Sequence, residues 1–479
     1  MLQTIDDLPQ PIGEFKPLDQ WQAHLNRIFY GLRGDTLRSY YQTFASADYR
    51  LAHALAADYY EKVVEREKAD TRQSSGSSRM ANGESRLMVM EWGPGNGNLA
   101  ACFLCHLKTV DQEGAVYPRV RYLMVDWDRA VLEGALAHPD LAAHRDRVEV
   151  HCGSIEQVTG VGDGTVDRII CNELWNDLPT KLMAKNAGGL EEEYVRPNVS
   201  GALHAGIHDW SAFLRAFDAK DIDHLKSCPP FLDDLVWEKE HRAVEWKQVP
   251  YRKTIVEFFK EIDQRVLVPV NLGAFAALKE AKRLLAPDAI GFSAFDAGTA
   301  DLKVLNDPDK PCYGLFGGQY SFMINFALVE AVARHLGFTR VALEPQREFV
   351  GRSLNTNVIT LMDLLAVHPS AGPKLRSWEQ DRLALKTIKA LNETYESPYR
   401  RRIDFPLPTD APPDERETLS ALARSLKDDG IPDTVAYVTE EELARARKDL
   451  EEIGYDPDAI GMVLHAPPSP VEYCHFTCR

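Results

Sequence analysis

The chain has 479 residues, of which 44% are apolar and 27% charged, with a formal net charge of −17. That length exceeds what one hydrophobic core usually organises, and no run of residues is long and apolar enough to serve as a membrane span. The acidic balance excludes nonspecific binding to nucleic acid, whose phosphates most of the surface would repel, and favours a basic protein segment as partner. The N-terminal MLQTIDDLPQPIGEFKP lacks the basic start of a secretory signal and the arginines of a mitochondrial transit peptide, so a cytoplasmic protein is expected. Eight cysteines are too sparse for a disulfide scaffold, and Cys102, Cys152 and Cys171 lie in apolar patterns where a reduced thiol packs as a small hydrophobe.

Residues 15–66 carry helical periodicity, and the polar stretch Thr71–Ser85 reads as a link, so residues 1–80 are expected to form an N-terminal helical unit. Short apolar strands then alternate with helices: Leu87–Glu91, Tyr122–Asp126, Arg147–Cys152 and Asp167–Asn172. This alternation predicts parallel βαβ units, hence an α/β fold with a mostly parallel sheet and helices on both faces. After Gly201 the pattern turns helical around Trp210, Trp237 and Trp246, which predicts a helical insertion over about 200–287 before a strand at Ile290–Asp296. A helix is expected over Ser321–His335, stopped by Gly337 in a left-handed cap, followed by strands at Arg340–Leu343 and Asn357–Met362. The central domain thus runs over 81–370. Residues 371–479, with a helix at Thr439–Ile453, are set apart as a C-terminal appendage, in which Tyr399–Arg402 is a basic cluster read as a solvated face.

The first strand ends at Glu91 and runs into Trp92-Gly93-Pro94-Gly95-Asn96-Gly97-Asn98, just before a helix. Such glycines allow a tight turn and let a ligand approach the main chain. A dinucleotide fingerprint would place its third glycine at Asn98, and Glu91 would face a pyrophosphate with the wrong charge, so a nicotinamide oxidoreductase is disfavoured. The spacing suits a ligand with a cationic amine and no phosphate, as at the methionyl end of S-adenosylmethionine (SAM). Asp126, at the end of the second strand, is the candidate for the ribose hydroxyls, while Asp128 reads as a helix N-cap. Ser154 and Ile155 after the third strand are candidates for the adenine side. The fourth strand ends in Asn172-Glu173-Leu174-Trp175-Asn176-Asp177-Leu178-Pro179, polar groups at the carboxyl edge of the sheet, where open α/β enzymes keep their chemistry.

Together EWGPGNGNL and NELWNDLP resemble the MidA-like family of class I SAM-dependent methyltransferases, of bacterial and mitochondrial distribution, whose marks are E-x-G-x-G-x-G and N-E-(L/F)-F-D-A-L-P. Leu190–Val195, Ala294–Gly298 and Gln319–Phe326 follow in the family's order, and the resemblance covers roughly 86–352. Asn176 stands where the family has its aspartate, with Asp177 one position later, and Asp296-Ala297-Gly298 stands for D-Y-G. The resemblance implies a seven-stranded class I sheet and SAM as cofactor. For the mitochondrial branch it also implies methylation of a protein arginine coupled to respiratory-complex assembly.

Glu91, Gly93, Gly95, Asn96, Gly97, Asp126, Ser154, Ile155 and Asn172 are therefore the expected cofactor-binding residues. Glu173, Asp177 and Asn172 are the expected catalytic ones, the two carboxylates serving to orient a guanidinium and take its proton. No metal is needed, because the sulfonium already activates the methyl group. The competing reading is an assembly factor that acts by protein contact with little or no catalysis.

Overall fold

Where apolar strands alternate with helices the chain builds a largely parallel sheet. The structure is a computed structural model that describes residues 8–34, 42–73, 86–372, 374–400, 405, 411–467 and 469–479. Two long helices precede the sheet, α1 (Leu18–Arg33) and α2 (Arg50–Gln73), with a short helical turn, Phe44–Ala47, between them. The sheet's strands in chain order are β1 (Leu87–Trp92), β2 (Val120–Asp126), β3 (Val148–Cys152), β4 (Arg168–Asn172), β5 (Gly291–Thr299), the two-residue β6 (Ile324–Asn325), β7 (Val341–Pro345) and β8 (Glu472–Cys478). Their spatial order is β3-β2-β1-β4-β5-β8-β7, with β6 pairing beside the end of β5. Every neighbouring pair from β3 through β5 is parallel. β8 alone runs antiparallel, to β5 on one side and β7 on the other. This is the seven-stranded class I sheet the resemblance implies.

Both faces of the sheet are covered, as the strand pattern requires. Val89, Tyr122, Met124, Ile170 and Phe295 face α2 and α3 (Asn98–Val110). Met90, Trp92, Val125, Ile169 and Phe292 face the helices Leu272–Leu284 and Phe326–His335. Alternation along β1 therefore sends Glu91 to the α2 and α3 side.

The C-terminal segment is more than an appendage to this sheet: its last strand, β8, lies inside it, and Val358–Thr360 pairs with Tyr437–Thr439. The stretch 200–287 is not wholly helical either. Val236–Ala243 is a strand of a second, antiparallel sheet centred on Gly189–Val199, which also takes in Gln10–Pro11, Lys16–Pro17, Lys181–Asn186 and Val268–Val270. In VWEKEHRA every residue is exposed or half-exposed, so this strand lacks the apolar face that would have announced it. The late helix begins at Phe326 rather than Ser321, because the Asn325 side chain caps it by accepting from the Leu328 N–H, and Gln319–Phe322 is instead a hairpin strand. Gly337 does adopt a left-handed conformation (φ +83°). Of the expected link, residues 71–73 end α2 and 74–85 lie outside the described residues, as do Arg401 and Arg402 of the basic cluster.

Candidate active site

The carboxyl ends of β1, β2, β3 and β4 lie side by side, and the expected site residues follow each of them. After β1 the turn is built on left-handed glycines. Gly97 (φ +80°) starts α3, and a Cβ there would sit 2.5 Å from the Ala135 carbonyl oxygen, a backbone atom that cannot swing away. Around Gly95 (φ +52°) nothing lies within 4 Å of such a Cβ, so this main chain is open to a ligand. Gly97→Ala is expected to bind S-adenosylhomocysteine at least about tenfold more weakly and to melt at lower temperature, since a left-handed non-glycine residue alone costs about 1–3 kcal/mol. Calorimetric titration and a melting curve both equal to the parent's would sink that expectation.

Glu91 is buried, 3% exposed, and accepts a hydrogen bond from the Tyr122 hydroxyl at 2.9 Å. Burial pushes its carboxyl up to about 7. Asn96 and Asn98 both turn toward the segment ahead of α2: Asn96 donates to the Ser46 carbonyl (2.9 Å), and Asn98 to those of Ala45 (2.7 Å) and Asp48 (2.9 Å). These amides dock the Phe44–Asp48 segment on the glycine turn.

At the end of β2, Asp126 accepts the Asp128 N–H at 2.8 Å, and burial raises its carboxyl to about 6. Asp128 itself caps the next helix through the Ala130 N–H, as its sequence position suggests. Trp127, beside Asp126, is half exposed, with the Arg27 guanidinium of α1 5.2 Å from its ring centre. After β3, Ser154 is exposed and its hydroxyl accepts the Glu156 N–H, whereas Ile155 packs in the apolar cluster of Leu123 and Val125.

After β4 the three catalytic candidates diverge. The side-chain oxygen of Asn172 is buried and accepts no hydrogen bond from the protein, leaving a ligand N–H as its natural partner. Glu173 is held in a left-handed conformation (φ +45°) and is 5% exposed; its carboxylate accepts the Phe44 N–H at 3.3 Å and bonds the Tyr473 hydroxyl of β8. Asp296 of β5 faces it. Burial, then the Glu173 charge, hold the Asp296 carboxyl well above its ordinary range, although the Asn176 and Ala297 N–H groups donate to it. Asp177 accepts hydrogen bonds from the Tyr30 hydroxyl of α1 and, at 2.6 Å, from the Gln319 amide, and burial pushes it up to about 7.

The strands therefore bring Asn172, Glu173, Asp177 and Asp126 to one edge, with Ser154 and Ile155 at its β3 end. Tyr30, Phe44, Trp127 and Tyr473 had no signal of a site in the sequence, and Gln319 had only its place at the head of a stretch that follows the family's order. Asp296 had one, a carboxylate following an apolar strand, but no role had been attached to it.

With this geometry in view, residues 71–290 match a family model described as "Putative S-adenosyl-L-methionine-dependent methyltransferase". That segment is similar to the family. S-adenosylmethionine is its cofactor, and the chain is a SAM-dependent methyltransferase. The glycine turn with an open main chain and the unpaired buried oxygen of Asn172 fit such a ligand. No curated protein matches the chain.

Among solved structures, a Burkholderia thailandensis protein bound to S-adenosyl-homocysteine is 16% identical, with 74% of this chain and 79% of that one covered and a TM-score of 0.43. A SAM dependent methyltransferase from Aquifex aeolicus is 12% identical, with 54% and 76% covered and a TM-score of 0.24. Strand order and the matched segment, not these overlaps, decide the assignment. Among the described residues no helix of the methyltransferase is long and apolar enough to cross a membrane.

Proposed function

We propose that this methyltransferase acts in the cytoplasm on a protein arginine side chain, with Asp177 as the group that takes the proton from the attacking nitrogen. The observation that carries it is the placement of Asp177: a half-buried carboxylate at the carboxyl edge of β4, held from two sides and raised to about 7. A guanidinium has a pKa above about 12, so it attacks only if a base receives its proton, and a base with a pKa near neutrality is suited to that work. The acidic edge, with Asp126, Glu173 and Asp296 beside Asp177, favours a cationic acceptor over an anionic one.

SAM supplies the activated methyl group. On this reading the turn of Glu91, Gly93, Gly95, Asn96 and Gly97 borders its methionyl end, Asp126 takes the ribose, and Ser154 and Ile155 border the adenine. Asn172 offers its free oxygen to a ligand N–H. Glu173 acts by holding Phe44 and Tyr473 in place, so that the Phe44–Asp48 segment closes over the turn and limits the approach of water. Alignment of acceptor and donor in such a site contributes about 7–11 kcal/mol in favourable systems.

Methyl transfer from tritiated SAM to proteins of a cell lysate, with acid hydrolysis to identify the labelled residue, tests the proposal. Asp177→Asn is expected to lower incorporation about 10²–10⁴-fold while S-adenosylhomocysteine still binds. Because the base form of Asp177 is populated only as pH rises through about 7, the parent rate is expected to climb about tenfold per unit below that pH and then level. The same proton makes folding less favourable as pH rises from the ordinary carboxylate range toward 7, since the folded chain holds it more tightly than the unfolded one. Label in residues other than arginine would rule out the acceptor. Full activity in Asp177→Asn would rule out the base.

A further inference from the structure

Asp177 is supported by groups that lie outside the matched segment 71–290. On α1, Gln22, Asn26 and Tyr30 stand at intervals of four and so share one stripe of the helix. The rest of the buried α1 surface is largely apolar, with Trp21, Leu25, Ile28 and Phe29 in the core. A buried polar stripe is costly unless every group finds a partner.

Here each does, and the partners are the loop after β4 and the hairpin strand beside it. Gln22 accepts the Thr180 N–H at 2.8 Å and donates to the Asn176 carbonyl at 3.3 Å. Asn26 donates to the Asp177 carbonyl (3.3 Å) and the Tyr320 carbonyl (3.0 Å) and accepts the Tyr320 N–H (2.9 Å). Tyr30 donates to one carboxylate oxygen of Asp177. Gln319 donates to the other at 2.6 Å and to the Tyr30 oxygen at 3.0 Å, which closes a ring of three hydrogen bonds.

We propose that Tyr30 is a positioning residue of the methyl-transfer site, fixing the Asp177 carboxylate at the sheet edge with Gln319 as its second support; this rests on Asp177 being the proton acceptor. Two donors on two oxygens fix the plane of the carboxylate, and since an ionised carboxylate has about four acceptor sites, lone pairs remain for the incoming proton. Among the described residues, the charged and titratable groups around the pair are Asp126 of β2, which faces Tyr30, and Asp296 of β5, which faces Asp177 and is itself faced by Glu173. None is cationic, so the donors on Asp177 are what favours its charged form against burial. Loss of the Tyr30 hydroxyl therefore moves the Asp177 titration upward.

The test is the titration of Asp177 in the full chain labelled with [γ-13C]aspartate, its resonance assigned by its absence in Asp177→Asn. The parent is expected to titrate near 7, and Tyr30→Phe, which keeps the ring, about one pH unit higher, a tenfold change in proton affinity. The acidic limb of the methyl-transfer rate should move with it while S-adenosylhomocysteine binding is kept. A Tyr30→Phe protein that binds S-adenosylhomocysteine and titrates as the parent does overturns the proposal. Should Tyr30→Phe fail to bind, Gln319→Met is read in the same way, with an upward shift supporting the clamp and none overturning it. Methyl transfer retained in Asp177→Asn, by contrast, removes the proton-acceptor assignment itself, whatever Tyr30 does to the titration.

Discussion

A chain ending at Pro470 is expected to lose the cooperative thermal transition of the methyltransferase sheet and to bind no S-adenosylhomocysteine. β8 lies between β5 and β7 in the sheet, pairing from Phe292 with Cys478 to Gly298 with Glu472 on one side, and from Val341 with Cys478 to Pro345 with Cys474 on the other. Its two faces do different work. Cys474, Phe476 and Cys478 enter the apolar cluster of Trp92, Ile169 and Phe292, where Phe476 alone contributes about 1.5–3 kcal/mol by burial.

On the opposite face, Tyr473 reaches Glu173, and His475 links the Ser293 hydroxyl (2.9 Å) to Glu344 (3.0 Å). Burial lowers His475 to about 4, so the imidazole is neutral, accepting at one nitrogen and donating at the other. Without the strand, the edges of β5 and β7 are bare, and Ser293, Glu344 and Glu173 each lose a buried partner, at about 1–3 kcal/mol apiece. Set against a domain stability of about 5–15 kcal/mol, the sum leaves little. A shortened protein that melts and binds like the parent would falsify this account of β8.

The same strand shows where sequence reasoning stops. Tyr473-Cys474-His475-Phe476-Thr477-Cys478 invites a metal-ligand reading, and alternation is the better guide: the cysteines and Phe476 share one face and His475 takes the other. Its neighbours, Phe292 and Val341, are more than a hundred residues away in the chain, and no local pattern names them. The first two βα units were legible because each carries its own signals within some thirty residues: an apolar strand, a glycine turn or N-capping aspartate, and then a helix. Asn172, Glu173 and Asp177 were legible as a cluster for the same reason. Their partners were not, because Tyr30 reads as one more residue of an amphipathic helix, and its bond to Asp177 spans 147 positions.

Breaking the buried ion pair of Arg50 with Glu442 is expected to lower stability by about 3–5 kcal/mol. Arg50 is 4% exposed at the start of α2, and Glu442 equally buried in the helix Glu440–Glu452; the guanidinium meets both carboxylate oxygens, at 2.6 and 2.9 Å, and donates to the Tyr437 carbonyl at 2.8 Å. Nearby, Asp48 is buried and accepts the Tyr395 hydroxyl (2.7 Å) and the Tyr437 N–H (3.0 Å), and burial raises its carboxyl above the ordinary range. Arg50→Met would strand Glu442 without a counter-charge where water does not reach. The double variant Arg50→Met, Glu442→Leu removes both charges together and is expected to recover most of the loss, because the penalty lies in the unpaired ion rather than in the missing bond.

The interface also bears on the site, since Asp48 ends the segment that Asn98 ties to the glycine turn. A destabilised single variant should therefore bind S-adenosylhomocysteine more weakly, and the double variant should bind it nearly as the parent does. Urea unfolding of the three proteins, with calorimetric titration beside it, checks both expectations. A single variant within about 1 kcal/mol of the parent, the ordinary value of an exposed pair, would show that water reaches Glu442 and that the C-terminal segment is held to α2 by its apolar contacts alone.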